Sequence, residues 1–466
     1  MINIFSFTGN PFVDNGIALI TSWTGNIKPE EIDNSQLESL AQQISQMYVK
    51  ENWKKKIQFI FPNGKIANPS IPLNRKSEEY VAILKEYIQN LSTQNVGNCI
   101  ACGKRDGIFY LTKSLVPLSG SGDYLNFFPS FQSGEKFCGA CAFAIQLSVP
   151  MLMDCGKFLL FSSHNDVVLL DLAQFQYEKI KFQQATGNFE GIYKNSYSNK
   201  QNALFHIIDD IILPRHEEDW GLQDTQIVCY CFSNSNQGAE LEIINIPAEV
   251  FGFLYKVRML NRKFPARNIS QSWRTIVNNA YYKSKKVEPL DVKTRKHSNL
   301  VYDGLLKEKS ILSYFCNFSE KKALCAWELV ELYLSKVRKM EKQRIDAIKV
   351  LADKIVEIMK YKGNTKRLFQ METSKSYSDL RVSLIRCARD WQNMSKIEPL
   401  IRLDTAIDFL FPESSEGWKN WRETRDLLLF RIYETSHDWI INNRSEEERE
   451  EENILTVEQD GGNKNE

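Results

Sequence analysis

Histidine is scarce in this chain, with five in 466 residues. That scarcity narrows the chemistry before any motif is considered. A metal hydrolase of the His–Asp type needs imidazoles and carboxylates converging from neighbouring helices. The C-terminal helical stretch offers only His437-Asp438. His206-Ile-Ile-Asp209-Asp210 and His216-Glu-Glu-Asp219 also set carboxylates beside imidazoles, a pattern that reads as helix caps or solvated polar edges. No Gly-x-Ser-x-Gly nucleophile elbow is present. Gly97 to Lys104 resembles a phosphate loop only loosely. Its glycines are spaced wrongly, and Arg105 stands where Ser or Thr would bind magnesium. The expectation is a protein that is not an enzyme.

Long apolar runs are also missing. Nothing reaches the ~18 residues that span a bilayer, and the longest candidate, Ala140 to Met153, is interrupted by Gln146, Ser148 and Pro150. The first residues carry no cationic stretch or cleavage site of a secretion signal. Ten cysteines show no disulfide-framework spacing, so six of them (Cys155, Cys229, Cys231, Cys316, Cys325 and Cys387) read as buried thiols in a reducing compartment. A soluble, cytoplasmic protein without membrane association is expected.

The other four cysteines form two pairs, Cys99-Ile-Ala-Cys102 and Cys138-Gly-Ala-Cys141. Two thiolates held two residues apart can turn onto one metal ion, and a second pair completes a tetrahedral S4 shell. One structural zinc ion is therefore expected at Cys99, Cys102, Cys138 and Cys141. Glycine accompanies each pair, Gly103 after the first and Gly139 within the second, as a tight knuckle favours. With all four positions filled by protein, such a site holds a fold together and leaves no opening for substrate.

The chain reads as α+β: a mixed N-terminal body with an inserted four-Cys zinc module, followed by a C-terminal helical bundle. The body covers residues 1–320, with the module at about 97–145. Phe12–Ile20 reads as a short loop feeding a helix, and Leu37, Leu40, Ile44 and Met47 mark a helix over Asn34–Val49. The insertion between the Cys pairs carries Ser119-Gly-Ser-Gly122, together with Phe127, Phe128 and Phe131, aromatics expected to pack around the metal module. From 155 to 250 the pattern turns to strands, with a hairpin between Thr225–Phe232 and Glu240–Pro247. Over 321–444 three helical stripes follow: Ile345, Ile348, Ala352, Ile355 and Met359; then Leu380, Leu384 and Cys387; then Leu427, Phe430 and Tyr433. Residues 445–466 form an acidic tail expected to be disordered.

A net charge of +1 conceals strong unevenness. Between 256 and 296 lie Lys256, Arg258, Arg262, Lys263, Arg267, Arg274, Lys283, Lys285, Lys286, Lys293, Arg295 and Lys296. Only Glu288 and Asp291 oppose them, while Tyr255, Phe264, Trp273, Tyr281 and Tyr282 are interleaved. Such a concentration is the footprint of a polyanion partner.

The opening Thr8-Gly9-Asn10-Pro11-Phe12-Val13-Asp14-Asn15-Gly16, the two Cys-x-x-C pairs and the hairpin Phe232-Ser-Asn-Ser-Asn-Gln-Gly238 resemble one family. It is the large subunit of type I-B CRISPR effector complexes (Cascade), in the branch named for its paired Cys-x-x-C motifs. The resemblance covers about residues 1–320 by motif; the helical C-terminus agrees in character. It implies a non-catalytic subunit that recognises a short flanking motif (the PAM) in double-stranded target DNA. It also implies help in unwinding the target and holding the R-loop. The implied partners are guide RNA, target DNA, the backbone subunits, the small subunits, and a helicase–nuclease or a transposon targeting protein. For PAM readout the candidates are Asn10, Asn63, Lys65 and Asn68, because Asn suits adenine edges and Lys suits guanine or phosphate. Phosphate contacts are expected from Lys54, Lys55, Lys56, Lys104, Arg105 and Lys136, and from the basic segment through Lys286. In such systems an internal start can make a separate small subunit, for which Met340 is the candidate. The competing reading is a stand-alone zinc-ribbon protein that binds nucleic acid without guide RNA.

Overall fold

The computed structural model describes residues 5–25, 32–91, 97–123, 126, 128, 131–215, 224–235, 238–281, 296–394, 397–406, 410–411 and 420–443. The chain divides into two compact units, the first built from residues 1–255 and 281–306, the second from 256–280 and 307–466. The sequence boundary expected near residue 320 thus falls inside the second unit, which also takes 256–280 of the basic segment.

The first unit is organised around a helix that starts earlier than expected. Asn10 caps α1 (Pro11–Thr24) by accepting from the N–H groups of Phe12 and Val13, and Pro11 supplies the preset φ of the first turn. Phe12 to Thr21 are all buried, so α1 is a core helix. The Thr8–Gly9 turn ahead of it is fastened by Asp14, whose carboxylate accepts from Thr8 N, Thr8 Oγ1 and Gly9 N at 2.7, 2.8 and 2.8 Å. Helix α2 (Asn34–Tyr48) begins with an Asp33–Gln36 capping box and buries Leu37, Leu40, Ile44 and Met47. Two further helices follow, α3 (Glu51–Ile57) and α4 (Leu73–Gln89). A two-stranded ribbon, β1 (Phe109–Leu111) and β2 (Glu135–Phe137), leads into α5 (Gly139–Leu147). Every residue of α5 is buried. The interrupted apolar run seen in the sequence comprises this helix, a short turn over Val149–Met151 and the first residue of the sheet.

The sheet comprises β3 (Met153–Asp154), β4 (Phe158–Ser163), β5 (Tyr193–Lys194), β6 (Ile227–Ser235) and β7 (Gly238–Ile246), in the order β5-β3-β4-β6-β7. All its pairings are antiparallel except β3 with β5. The predicted hairpin is β6–β7. Phe158 pairs with Phe232, whose ring meets Phe12 edge-on at 5.5 Å, and Asn15 Nδ2 donates to the Phe161 carbonyl at 2.6 Å. These contacts seat α1 on the sheet. The expectation of strands throughout 155–250 fails between β4 and β6. There the chain forms α6 (Asp166–Thr186), α7 (Lys200–Ile207) and a π-helical turn over Ile208–Ile212. Asn165 caps α6, Gly187 closes it at φ 67°, and Val168, Leu169, Leu172, Ala173 and Ile180 form its buried stripe. Helix α8 (Ala248–Lys263) contains the unit boundary, α9 (Ile269–Asn279) belongs to the second unit, and α10 (Leu300–Leu306) returns to the first.

In the second unit a short ribbon, β8 (Cys316–Asn317) and β9 (Lys322–Ala323), precedes α11 (Trp327–Lys336), α12 (Lys342–Lys362), α13 (Lys366–Glu372), α14 (Tyr377–Asn393) and α15 (Trp421–Asn442). The three predicted stripes are the buried faces of α12, α14 and α15. Helix α12 stops at Gly363, which holds φ 65°. Arg344 reaches Glu423 at 3.7 Å and Arg431 reaches Asp353 at 2.8 Å, so α12 and α15 run side by side in the same direction. No hydrogen bond joins His437 to Asp438 among the described residues. His437 Nδ1 donates to the Lys321 carbonyl at 2.9 Å and ties α15 to the β8–β9 turn.

Lys321 and Glu372 form an ion pair at 2.8 Å with side chains only 5% and 14% exposed, and the Tyr433 hydroxyl donates to the same carboxylate at 2.6 Å. Breaking a buried pair by removing one charge costs about 3–5 kcal/mol when burial is complete. Because Glu372 keeps some solvent, Glu372→Ala is expected to destabilise the second unit by about 2–3 kcal/mol. Replacing both with Lys321→Met/Glu372→Leu should recover only part of that loss in urea melts, because the buried Tyr433 hydroxyl still loses the Glu372 acceptor. A single-variant cost below about 0.5 kcal/mol, in the range of surface pairs, would show the pair to be structurally idle.

Candidate metal centre and nucleic-acid interface

The first Cys pair is shaped by backbone hydrogen bonds. Gly103 N donates to the Cys99 carbonyl at 2.9 Å, and Cys99 N donates to the Arg105 carbonyl at 3.0 Å. Gly103 sits at φ 60°, where a side chain would be strained, so the knuckle needs glycine there. Ile100 N donates to the Lys136 carbonyl at 2.9 Å, stitching this knuckle to β2. The second pair is carried by α5. Cys138 occupies the N-cap position and Cys141 lies in the first turn, where the helix presents its positive end. Gly139 serves a different purpose from Gly103. A Cβ there would lie 2.5 Å from the Tyr87 carbonyl oxygen and 2.6 Å from that of Asn90, so Gly139 lets α5 start against the end of α4.

All four sulfurs lie within 4.8 Å of one another, with Cys102 and Cys138 at 3.9 Å. A tetrahedral zinc site with bonds of about 2.3 Å sets its sulfurs roughly 3.8 Å apart. Cys99, Cys138 and Cys141 are buried, Cys102 is half-buried, and none is in a disulfide. The protons are shared unequally. Hydrogen bonds from Cys138, Cys141 and Cys99 pull the Cys102 thiol far below its ordinary pKa, while the bond to Cys102 pushes Cys141 far above. Four thiolates this close repel strongly, and a divalent cation offsets that repulsion. The donor set and its geometry fit one zinc ion, held as a closed structural site.

Between the pairs, Phe128 is buried, whereas Phe131 is 73% exposed with φ 53° and does not pack inside the module. Phe127 lies outside the described residues.

The PAM candidates stand in turns and caps. Asn10 Oδ1 is the α1 cap. Asn63 holds a left-handed turn at φ 62°. Lys65 reaches Glu79 at 3.2 Å. Asn68 Oδ1 accepts from Ser70 N, and its carbonyl, with that of Ile66, accepts from buried Lys76 Nζ at 2.6 Å. Lys65 and Asn68 share one loop; Asn10 is placed by the α1 cap.

Among the phosphate candidates, Lys54 and Lys55 both turn toward Glu51 and Lys56 pairs with Asp154 at 2.6 Å. Lys136 lies over the Tyr110 ring, and Lys104 is exposed. Arg105 is only 8% exposed. Lys256 and Arg258 are half-buried on α8. Arg262, Lys263, Arg267 and Arg274 are exposed across the end of α8, the following turn and α9, with Arg267 3.7 Å from Glu328. Of the interleaved aromatics, Phe264 is 37% exposed beneath Lys263, whereas Tyr255, Trp273 and Tyr281 are buried. Lys283, Lys285 and Lys286 lie outside the described residues, as do Lys293, Arg295, Tyr282, His216 and the acidic tail. No described helix is long and apolar enough to cross a membrane.

Residues 92–153, which span both Cys pairs, the ribbon and α5, match a family described as CRISPR-associated protein (Cas_CXXC_CXXC). No curated protein and no solved structure matches the chain. The zinc module is therefore a CRISPR-associated domain with paired CXXC motifs.

Proposed function

We propose that this chain is the non-catalytic large subunit of a type I-B, RNA-guided CRISPR effector complex. The observation that carries the reading is the match of the zinc module to the CRISPR-associated paired-CXXC family. The exposed cations at the end of α8 and on α9 support a nucleic-acid surface. In this reading the subunit recognises the PAM in duplex DNA, helps open the target, stabilises the R-loop and docks a downstream helicase–nuclease or transposon targeting protein. The four-sulfur zinc site acts as a staple and takes no part in bond cleavage. Met340, in the connection just ahead of α12, remains the candidate start for a separate helical small subunit.

The test is an affinity pull-down from the native host, with sequencing of bound RNA and identification of bound proteins. Uniform repeat-derived guide RNAs recovered with backbone subunits are the expected result. Heterogeneous nucleic acid without such subunits would sink the reading and favour the stand-alone zinc-ribbon binder. With the complex in hand, neutralising Arg262, Lys263, Arg267 and Arg274 to Gln should weaken DNA binding across all sequences. The slope of log affinity against log salt should fall by up to about 3.6, at roughly 0.9 for each phosphate the protein no longer neutralises. An unchanged slope would remove this surface from the interface.

A further inference from the structure

A cavity of about 470 Å³ opens in the first unit between α2, α4, α6 and the loop after α6. Its size falls in the range of small-molecule sites, about 300–1,000 Å³. The lining is chemically selective. Gln43, Gln46 and Gln184 contribute three primary amides, Lys50 an ammonium and Phe189 a ring, and no carboxylate is among the lining residues. The side-chain amides of Gln46 and Gln184 have no hydrogen-bond partner among the described residues. The Lys50 ammonium is in no ion pair there and lies over the Phe189 ring at 5.1 Å. Phe189 is itself held in place. Asn52 Nδ2 donates to its carbonyl at 2.9 Å, and Gly191, at φ 92°, packs against the Asn52 backbone two residues on.

An amide offers both a donor and an acceptor, and a glutamine amide matches the paired acceptor and donor on an adenine edge. An aromatic face stacks with any base, worth about 1–3 kcal/mol. An ammonium that is in no ion pair among the described residues suits a phosphate. We propose that this cavity is a nucleotide site that takes one purine. The base stacks on Phe189, Gln184 and its neighbouring amides read the edge, and Lys50 leaves the ring for the phosphate. The source of that nucleotide, a base extruded from a bound strand, rests on the function proposed above; the binding chemistry does not.

The test uses the full chain alone, with adenosine 5′-monophosphate and ribose 5-phosphate titrated by NMR. Saturable binding of the nucleotide, at least tenfold tighter than the base-less phosphate, is expected. Phe189→Ala should lower nucleotide affinity tenfold or more at an unchanged melting temperature, and Phe189→Trp should restore it. Lys50→Ala should weaken binding of the monophosphate but not of adenosine. Failure of wild type to bind, equal affinity for ribose 5-phosphate, or indifference to Phe189→Ala would each overturn the site. If Phe189→Ala lowers the melting temperature, the Lys50→Ala comparison decides. None of these readouts needs guide RNA or partner subunits, so their failure leaves the pull-down result untouched, and the reverse holds too.

Discussion

Cys138→Ser is expected to lower the stability of the first unit by about 4 kcal/mol or more, a Tm drop of roughly 8–16 °C at the scale of ~2–4 °C per kcal/mol for a unit of this size. The substitution is a stringent one. Serine is a good N-cap, and Cys138 now makes no side-chain capping bond, so the helix start itself should gain up to about 1 kcal/mol. Any loss therefore reports the metal shell. Structural zinc contributes about 10–16 kcal/mol in isolated finger peptides. Here only part of that should appear, because α5 is also held by its burial against α1 and α4. A strong chelator should reproduce the drop in wild type and add nothing to the variant. Cys316→Ser, a buried thiol in the second unit outside the cluster, serves as control. Purified protein free of zinc, with a melting temperature indifferent to chelator, would falsify the staple.

Gly16→Ala should cost about 3–5 kcal/mol, against the gain of about 1 kcal/mol that alanine normally brings to a helix interior. The reason is the crossing of α1 and α5. A Cβ at Gly16 would lie 1.8 Å from the Ala144 carbonyl oxygen and 2.5 Å from its carbon. Overpacking between side chains costs about 1–3 kcal/mol because they can rotate aside. Backbone cannot, so α1 and α5 would have to separate along their buried faces. Ala144→Gly should give no rescue, since the obstructing atoms are main-chain. Thermal melts of the single and double variants decide the matter. A double variant with wild-type stability would mean the helices adjust by a small rotation, and the clash argument would be wrong.

The parts legible in the sequence are those with a short, sharp period or a fixed donor set. Four cysteines at two-residue spacing specify an S4 site wherever the fold brings them together. The stripes of α12, α14 and α15 and the β6–β7 hairpin are equally plain, because 3.6-residue and two-residue repeats differ over such lengths. Helix α6 escapes such a reading because Val167-Val168-Leu169-Leu170 has the β-branched richness of a buried strand. Its caps, Asn165 and Gly187, stand far enough apart to look like unrelated turns. Gly139 reads as part of the knuckle, although its reason is the nearness of α4, a contact no local pattern encodes. The basic segment shows the same limit. Charge predicts a surface, but only the fold separates exposed Arg262, Lys263, Arg267 and Arg274 from half-buried Lys256 and Arg258. The cavity beside Phe189 has no sequence signal at all, since its glutamines come from α2 and α6, well apart in the chain.

The placing of two zinc ligands at the start of α5 has a consequence for biosynthesis. At about 5–20 residues per second, β6 leaves the ribosome roughly 5–20 s after Cys141. During that interval α1, α2, α4 and both Cys pairs already exist, while the sheet still lacks β6 and β7. Metal capture can fix the start of α5 against α4 before β6 and β7 arrive, and those strands then close on a helical platform already in register. In a zinc-starved cell the same interval leaves α5, apolar but for Gln146, without an anchor. Chaperone load and aggregation of nascent chains should therefore rise with zinc depletion before any change in the activity of protein already folded.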